Sequence, residues 1–477
     1  TWGINFFRNI QRTRQTNTWN PVSTSVGTYM QQAGILTGIE NIKTPTRLFF
    51  LPYTSYYVNA DAYQKTIGTL KGGMDVKYGI NDAFTLDAIL IPDFGQTALD
   101  QKILNLGPFE QQFNENRSFF TEGTDLFNKG DLFYSRRIGG KPTQKLKMSN
   151  DEEIVESPSA VGLLNATKIS GRTKNGLGIG FLNAVTEKTN VVIRDTITKN
   201  NRIETIEPLA NYNILVLDQR FNGNSSVSLI NTNVTRNGEF RDSNVSAAVF
   251  NLNTKKNTFN ANGAFRYSYV NSYENLDNKK GISTNLNLAE TAGKIRYSIG
   301  GQYVSDKYDN NDLGVNFQTN YFSLSSNVNY RILNSTDKLN SFRINLNAFV
   351  QYDNSTHYLQ EQNFNVNLNF TNKKNHSAGI GFNVNPFERY NFYNPKVKGR
   401  YVVFPKNYGT WMWISSNYNN KLAFDIEPNI GIAEANGWWY WGLMVKPRYR
   451  FSDRFSLIYT SNFYNEYQDL GRVDQVG

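Results

Sequence analysis

Residues 363–370 read Asn-Phe-Asn-Val-Asn-Leu-Asn-Phe, an unbroken alternation of asparagine with a large apolar residue. Successive side chains of a strand point to opposite faces, so one face here would carry only amides and the other only apolar groups. Asparagine is depleted in ordinary strands, and its repeated use indicates a face in continuous contact with water. A strand between water and hydrocarbon meets this demand, and such strands build transmembrane β-barrels.

The same alternation recurs along the chain, most clearly in residues 322–332 and 341–352. The candidate strands are separated by turns rich in Asn, Asp, Gly and Lys. Many of these turns are short, whereas residues 188–207, 271–281 and 353–362 form longer polar insertions. Outer-membrane barrels have this asymmetry, with short turns at one end and longer loops at the other.

Composition agrees with a barrel and excludes a helical membrane protein. Hydrophobic residues make up 39% of the 477 residues, and no apolar run approaches the ~20 residues of a spanning helix. A barrel strand needs only ~9–11 residues with every second one apolar. The 14% of aromatic residues is typical of aromatic girdles. The predicted fold is all-β, a large antiparallel transmembrane barrel of about 20 or more strands, with residues 1–477 as a single domain.

Six asparagines of the alternating segments are candidates to line the lumen of such a barrel, because their side chains would share the wet face. They are Asn345, Asn347, Asn363, Asn365, Asn367 and Asn369.

Two tryptophan clusters allow three interpretations: anchors at the membrane interface, the core of a soluble sandwich, or a platform for stacking a ligand. They contain Trp411, Trp413, Trp438, Trp439 and Trp441. Aromatic belts are the usual position of such residues at barrel strand ends, so interfacial anchors are favoured.

The residues needed for metal or nucleophile chemistry are scarce. The chain has no cysteine, which removes disulfides, thiolate zinc sites and cysteine nucleophiles. Its two histidines, His357 and His376, lie in polar sequence that predicts exposed loops. We therefore predict no catalytic residue, no metal and no cofactor.

The basic excess, 50 Lys and Arg against 40 Asp and Glu, is scattered and forms no nucleic-acid motif, so no nucleic acid is expected as a partner. On a barrel, basic rim residues would contact the phosphates of outer-membrane lipid and lipopolysaccharide. Other outer-membrane or periplasmic proteins are further candidate partners.

Residues 92–160 interrupt the alternating pattern with an irregular, charged stretch. A long insertion of this kind is usually functional or disordered, and its aromatic content argues against disorder. We expect a plug-like segment folded into the barrel, where charges must pair because unpaired ones are costly. The candidates for such pairs are Glu115, Arg117, Glu122, Arg136 and Arg137. Glu115 and Glu122 also allow an acid/base pair of the glycosidase type, although ion pairs that hold a folded loop are favoured.

Several motifs in the first 140 residues resemble those of a large, uncharacterised family of Bacteroidota, hence Gram-negative, outer-membrane barrels. They are residues 1–8, Trp19-Asn20-Pro21, Leu51-Pro52-Tyr53, residues 92–96, Asp100, Asn105-Leu106, residues 113–123 and residues 133–139. The resemblance implies a barrel that usually follows an N-terminal carbohydrate-binding module, which the printed sequence does not include. It implies no catalytic residues. The start at Thr1 is interpreted as that of a mature or trimmed chain.

The sequence thus predicts a porin- or transporter-like protein of the bacterial outer membrane that passes or gates small polar or glycan-derived solutes. Two alternatives remain open. One is a non-transporting structural or docking subunit of a larger outer-membrane complex. The other is a soluble carbohydrate-active β protein that uses Glu115 and Glu122.

Overall fold

A computed structural model describes most of the chain. The described residues are 2–10, 15–23, 30–40, 47–59, 67–92, 103–105, 107–144, 146–158, 160–271, 278–395, 397, 399–434 and 437–468. Four parts of the motifs named above, Thr1, residues 93–96, Asp100 and Leu106, lie outside them.

The described residues form twenty-nine strands and very little helix. The first strands are β1 (Trp2–Ile4), β2 (Phe7–Ile10), β3 (Gln15–Thr18), β4 (Gly34–Leu36), β5 (Leu48–Asn59), β6 (Ile67–Gly79), β7 (Phe84–Leu90), β8 (Glu152–Glu156), β9 (Leu163–Arg172), β10 (Leu177–Thr186), β11 (Thr189–Asp195), β12 (Asn201–Glu207), β13 (Ala210–Phe221) and β14 (Ser225–Arg236). The others are β15 (Asp242–Asn253), β16 (Phe259–Asn271), β17 (Lys279–Glu290), β18 (Ile295–Val304), β19 (Tyr321–Arg331), β20 (Leu339–Asp353), β21 (Leu359–Asn372), β22 (Ser377–Asn385), β23 (Arg389–Asn391), β24 (Val402–Phe404), β25 (Asn407–Ser415), β26 (Leu422–Ala433), β27 (Trp439–Arg450), β28 (Ser456–Ile458) and β29 (Ser461–Tyr467). One α-helical turn, α1 (Ser118–Thr121), and 3-10 turns at Met30–Gln32, Lys129–Asp131 and Ser135–Arg137 complete the elements.

Twenty of the strands belong to one sheet. The strand order in this sheet is β5, β6, β7, β9, β10, then β13 to β22, then β25 to β29. The last strand, β29, neighbours the first, β5. Every pair of this sheet with a defined register is antiparallel. β28 and β29 both pair with β27 and therefore continue each other along one edge. The prediction of an all-β chain with a large antiparallel sheet of about twenty strands is confirmed.

The register separates two chemically different faces. In one row, Tyr297, Val328, Leu346, Val366, Phe382, Thr410, Ile430 and Trp441 lie side by side across eight neighbouring strands, β18 to β22 and β25 to β27. We call this side the apolar face. In a row of the opposite side, Arg296, Asn329, Asn345 and Asn367 are neighbours, and we call this side the polar face. Strict alternation in the sequence produces both faces, because the side-chain period of a strand is two.

The connections between these strands are short at one end of the sheet and longer at the other. At the short-turn end, the turn after β13 contains Asn222 and Gly223 at φ values of 49° and 82°. Asparagine and glycine are the residues that adopt this left-handed backbone most readily, which allows a tight hairpin. At the opposite end, residues 305–320 and 386–406 are much longer connections.

The smaller sheets lie outside this order. β8, β11 and β12 form a three-stranded sheet, and the pairs β1–β4, β2–β3 and β23–β24 stand by themselves. Residues 188–207, expected to be a polar insertion, thus fold into a hairpin. Val191, Ile193 and Ile206 give that hairpin a small core of its own, which explains why it forms strands.

The principal core lies where residues 107–140, which we call the covering segment, pack against the polar face. Its apolar side chains Phe119, Phe120, Leu126, Phe127, Leu132 and Ile138 contact Leu182, Ile214, Val216 and Ile230 of β10, β13 and β14. Fully burying one large apolar side chain contributes about 1.5–3 kcal/mol. Apolar side chains therefore occupy the polar face where this segment covers it.

Candidate functional site

Asparagine side chains form a hydrogen-bonded ladder on the polar face of β19, β20 and β21. Asn327 donates its amide to the Oδ1 atom of Asn347 at 2.6 Å, and Asn347 donates to Asn365 at 2.7 Å. In the next row, Asn345 donates to Asn367 at 2.7 Å. Side-chain ladders of this kind satisfy the amides while leaving a polar surface.

All six predicted lumen-lining asparagines therefore lie on the polar face. Asn363 and Asn365 are linked at 2.6 Å, and Asn369 accepts a hydrogen bond from Trp413 Nε1 at 3.2 Å. The alternation in the sequence was sufficient to place them on one face. Their role in lining a lumen stays a prediction.

The tryptophans are divided between the two faces. Trp439 and Trp441 lie opposite Ile432 and Ile430 on the apolar face, where about a third of each tryptophan is exposed. Trp438 lies beside Tyr440, with ring centroids 5.3 Å apart, and donates from Nε1 to Glu466 at 2.8 Å.

Trp411 and Trp413 lie on the polar face, which differs from the interfacial position predicted for them. Their rings cover Gly381 and Gly379 of β22 so closely that a Cβ atom at either glycine would come within 2.3 Å of a ring atom. Only glycine leaves room for a ring at these two positions. The alternation of Asn407, Gly409, Trp411, Trp413 and Ser415 along β25 was the signal for this face.

The covering segment is held to the polar face by basic side chains from the strands. Lys168 of β9, which is 1% exposed, donates from Nζ to the carbonyl oxygens of Phe119 at 2.7 Å and Glu122 at 2.6 Å. Arg266 of β16 donates from Nε to the carbonyl oxygen of Gly130 at 2.7 Å. Carbonyl oxygens at helical turns are natural acceptors for these cations.

Glu115 and Arg117 form the centre of the segment's own charge cluster. The Arg117 guanidinium donates to both carboxylate oxygens of Glu115, at 2.9 and 2.7 Å, and to the carbonyl oxygens of Ile138 and Ser135. Ser135 Oγ donates to Glu115 at 2.6 Å, and Arg136 Nε lies 3.9 Å from the same carboxylate. A pocket of about 460 Å³ opens beside this cluster.

Glu122 and Arg137, the other two residues predicted to form ion pairs in this segment, have different partners. Glu122 pairs with Lys77 of β6, and Arg137 pairs with Glu110 and donates to the carbonyl oxygen of Gly314 at 3.0 Å. Each of the two glutamates of the glycosidase hypothesis therefore has its own cation. This arrangement suits two separate structural pairs, since an acid/base pair works on one shared bond.

The ion pair sets the acid–base behaviour of Glu115. Burial alone raises the pKa of its carboxyl, but hydrogen bonds from Arg117 and Ser135 outweigh burial, and the net pKa is lowered. A group whose pKa is lower in the folded state contributes stability above its ordinary pKa and loses it as the pH falls through the lowered value.

We therefore expect Glu115→Gln to unfold at lower urea concentration than the parent at neutral pH. The difference should shrink as the pH falls below the ordinary carboxyl range, because the parent then loses the same charge. Urea unfolding of detergent-solubilised protein, followed by tryptophan fluorescence across pH, measures both effects. A difference that stays constant with pH would contradict the charge pairing as its cause.

A buried network at the long-connection end was missed by sequence reasoning. Arg236, at the end of β14, contacts Glu207 at 3.1 Å and Asp312 at 2.9 Å, and all three are at least nine-tenths buried. Arg241 adds a second cation at 2.6 Å from Asp312. Burial raises the pKa of the Asp312 carboxyl, and the two arginines lower it overall. The alternation along β14 could have predicted the inward position of Arg236, because it places Arg236 on the same face as Val234 and Thr232.

Asp218 of β13 is the second buried charge that sequence reasoning missed. Its carboxylate is fully buried and lies 2.8 Å from Lys129 of the covering segment and 2.5 Å from Arg172 of β9. The pair with Lys129 is a further attachment of the covering segment to the sheet.

The described ranges contain neither a metal-binding cluster nor a membrane-spanning helix. No group of three or more His, Cys, Asp or Glu side chains there could hold a metal ion. No helix in the same part of the chain has the length and apolarity to cross a membrane.

Comparisons with known proteins give one family and three distant likenesses in structure. The family described as "Domain of unknown function (DUF5916)" matches residues 44–477. No curated protein matches the chain.

The three solved structures are all from Pseudomonas aeruginosa. OpdL is 11% identical with a TM-score of 0.34, over 66% of this chain and 91% of that one. OpdQ is 9% identical with a TM-score of 0.33, over 66% and 89%. OccK11 (OpdR) is 10% identical with a TM-score of 0.33, over 67% and 88%.

Proposed function

Since the chain belongs to DUF5916, a family described only as a domain of unknown function, its role has to follow from its own residues, and we propose a porin-like channel of the bacterial outer membrane. The channel would pass or gate small polar or glycan-derived solutes. The expected membership of an uncharacterised family is confirmed. The match also extends over the later strands, beyond the first 140 residues whose motifs carried the resemblance.

The exposed apolar face carries this proposal. In the row from Tyr297 to Trp441, seven of the eight side chains are large apolar or aromatic groups, each at least 36% exposed. Ile299 and Leu324 of neighbouring rows are 59% and 52% exposed. Monomeric soluble proteins rarely expose contiguous apolar patches above a few hundred Å². An apolar belt of this extent is stable when the hydrocarbon of a lipid bilayer surrounds it.

The polar face would then enclose the lumen. The neighbouring positions of β5 and β29 in the strand order support closure of the sheet into a barrel. Closure also removes exposed strand edges, which a lipid environment does not tolerate. Amide ladders suit a wet interior because the linked amides hydrogen-bond to one another and also offer polar atoms to water.

The covering segment would narrow this lumen as a plug or constriction. Its contacts with Lys168 and Arg266 attach it to the polar face on β9 and β16. Ion pairs inside the segment would keep its shape in a space where unpaired charges are costly. Trp439 and Trp441 would lie at the lipid interface, and basic rim residues would contact lipid and lipopolysaccharide phosphates.

Reconstitution into planar bilayers tests the channel. We expect stepwise conductance, because the proposed lumen would be lined by the amides of the polar face and filled with water. The Lys168→Met variant should show larger or noisier steps, since the covering segment loses its hydrogen bonds to β9. If both proteins are shown to insert and the bilayer still carries no current, the channel hypothesis is refuted and the docking-subunit alternative is favoured.

The location has its own test, which is independent of conductance. The protein is expected in the membrane pellet and should need detergent for extraction, because the exposed apolar belt requires hydrocarbon. Recovery in the aqueous fraction would favour the soluble alternative.

A further inference from the structure

We propose that the pocket of the covering segment beside Glu115 binds a small neutral saccharide and does not cleave it. The pocket has a volume of about 460 Å³, and small-molecule sites commonly measure about 300–1,000 Å³. This inference rests on the proposed channel for its role in transport, and it narrows the solutes of that channel to uncharged sugars.

The pocket belongs to the covering segment alone. All of its lining residues lie between Gln112 and Ser135, and no strand residue is among them. The sheet therefore does not close the pocket. In the proposed channel the pocket would open into the lumen, and a solute that crosses the lumen would pass it.

Aromatic side chains form one part of the lining. Phe113, Phe133 and Tyr134 are half-buried, so part of each ring remains accessible. The Oη atom of Tyr134 accepts a hydrogen bond from the backbone N–H of Phe113 at 2.9 Å. Phe133 packs edge-on against Phe127, with ring centroids 6.5 Å apart. Rings that are already held in place lose little freedom on binding, and they bury the C–H face of a sugar ring well.

Neutral hydrogen-bonding residues form the other part of the lining. Gln112, Asn114 and Asn128 carry amides, and Thr121 and Thr124 carry hydroxyls. Amides and hydroxyls both donate and accept hydrogen bonds. Each hydroxyl of a sugar needs the same combination, because it donates one hydrogen bond and accepts others. The lining therefore suits a sugar better than a carboxylate or a phosphate, which only accepts.

The side-chain amides of Gln112 and Asn128 are available to a ligand. Both residues are exposed, and within the described residues neither side chain has a hydrogen-bond partner in the protein. Asn128 precedes the 3-10 turn Lys129–Asp131 and does not cap it through its side chain. A bound sugar would replace the water at these amides.

Glu115 provides the single carboxylate of the lining, and its hydrogen-bonding positions are occupied. Its Oε1 atom accepts from the backbone N–H and from Nε of Arg117, at 2.8 and 2.9 Å. Its Oε2 atom accepts from Nη2 of Arg117 at 2.7 Å and from Oγ of Ser135 at 2.6 Å. A carboxylate has about four acceptor positions, and glycosidic cleavage usually needs two carboxylates. The pocket therefore binds a sugar without hydrolysing it.

The charges around the pocket select a neutral ligand. Arg117 compensates the carboxylate of Glu115, and no lysine, arginine or histidine is among the lining residues. Arg136, the second cation near Glu115, donates to the carbonyl oxygen of Asn114 at 3.1 Å. A charged solute would lose hydration in the pocket without meeting an opposite charge, which costs free energy. A neutral sugar exchanges hydrogen bonds with water at little cost.

Isothermal titration calorimetry of the detergent-solubilised protein tests the binding. The detergent is lauryldimethylamine oxide, because a maltoside would itself compete for the pocket. The probes are maltose, cellobiose and sucrose, with the dipeptide glycylglutamine as a polar solute of another class. We expect binding heat from at least one disaccharide and none from the dipeptide. Equal or tighter binding of the dipeptide, or no binding of any disaccharide, would overturn the saccharide assignment.

Two variants place the sugar in this pocket. Q112A/N128A removes the two available amides and leaves the ion pair of Glu115 in place. We expect its affinity for the disaccharide to fall roughly tenfold, the scale of two lost neutral hydrogen bonds. Phe113→Ala removes one aromatic ring and should weaken binding by a similar factor. Parent affinity retained by either variant would overturn the site.

Q111A/N394A is the matched control, because it also removes one glutamine and one asparagine that are exposed but do not line the pocket. Its affinity should equal that of the parent, and an equal loss in the control would refute the pocket as the site. After incubation with the parent, the disaccharide should be recovered intact. Released monosaccharide would contradict binding without cleavage.

Bilayer current separates this inference from the channel itself. The disaccharide that binds should reduce the current through the parent and the control, and much less the current through Q112A/N128A, because a sugar on the covering segment narrows the lumen. A bilayer without current would refute the channel alone, and calorimetry would still decide the pocket. A current unchanged by a disaccharide that binds would refute the role of the pocket in transport.

Discussion

Arg236→Met is expected to destabilise the folded protein by about 3–5 kcal/mol, because removing one member of a buried ion pair leaves the other charge buried and unpaired. Here two carboxylates would be affected. Arg236 lies 3.1 Å from Glu207 and 2.9 Å from Asp312, and Glu207 is 1% exposed. Methionine fills a similar space without a charge, so the loss should come from electrostatics and not from a cavity.

Urea unfolding of the detergent-solubilised protein measures this loss. Arg202→Met is the matched control, since Arg202 forms exposed pairs with Glu152 and Glu204, and exposed pairs contribute little. The triple variant R236M/E207Q/D312N should recover part of the stability, because Arg241 keeps Asp309 at 2.9 Å as a partner and no buried charge is left unpaired. If Arg236→Met and Arg202→Met unfold at the same urea concentration, the buried network contributes no more to the free energy of unfolding than an exposed ion pair does.

Leu324→Arg is expected to cost about 2–4 kcal/mol in a lipid bilayer, the range for arginine at the midplane of the lipid-facing side of a barrel. Leu324 lies on the apolar face in the middle of β19 and is 52% exposed. On a soluble protein, an arginine at so exposed a position would change stability little. The size of the effect therefore reports what surrounds the apolar face.

Ser325→Arg supplies the comparison, since Ser325 is the next residue along β19 and lies on the polar face opposite Phe349. We expect this variant to insert and fold like the parent, because an arginine there meets water. Unfolding from lipid vesicles by urea compares the two variants. If both arginines cost the same, the apolar face does not contact hydrocarbon, and the membrane assignment fails.

The strands β19 to β21 are those that the sequence predicts most completely. The alternation in residues 322–332, 341–352 and 363–370 placed these strands and the face of each asparagine, because the period of two is a local property of the backbone. The same rule, applied to β25, would also have placed Trp411 and Trp413 on the polar face. Grouping tryptophans by cluster instead of by parity led to the interfacial prediction for them.

Charge pairs show where local reasoning stopped. Glu115 and Arg117 are two residues apart, and their pairing follows from nearness along the chain. Glu122 pairs with Lys77, and Arg236 with Asp312, across long separations. No pattern in a single sequence specifies which distant carboxylate meets which cation, because the partner is set by strand order and by the path of the connections.

The sequence by itself therefore determined the all-β fold, the strand pattern and the division into a polar face and an apolar face, since these depend on alternation within single strands. Only the tertiary structure decided which rows adjoin, where the covering segment lies, and which distant carboxylates Arg236 and Lys129 meet. The physical reason is that hydrogen-bond register joins residues far apart in the chain, and the balance of charge on a face is a sum over all the strands that form it.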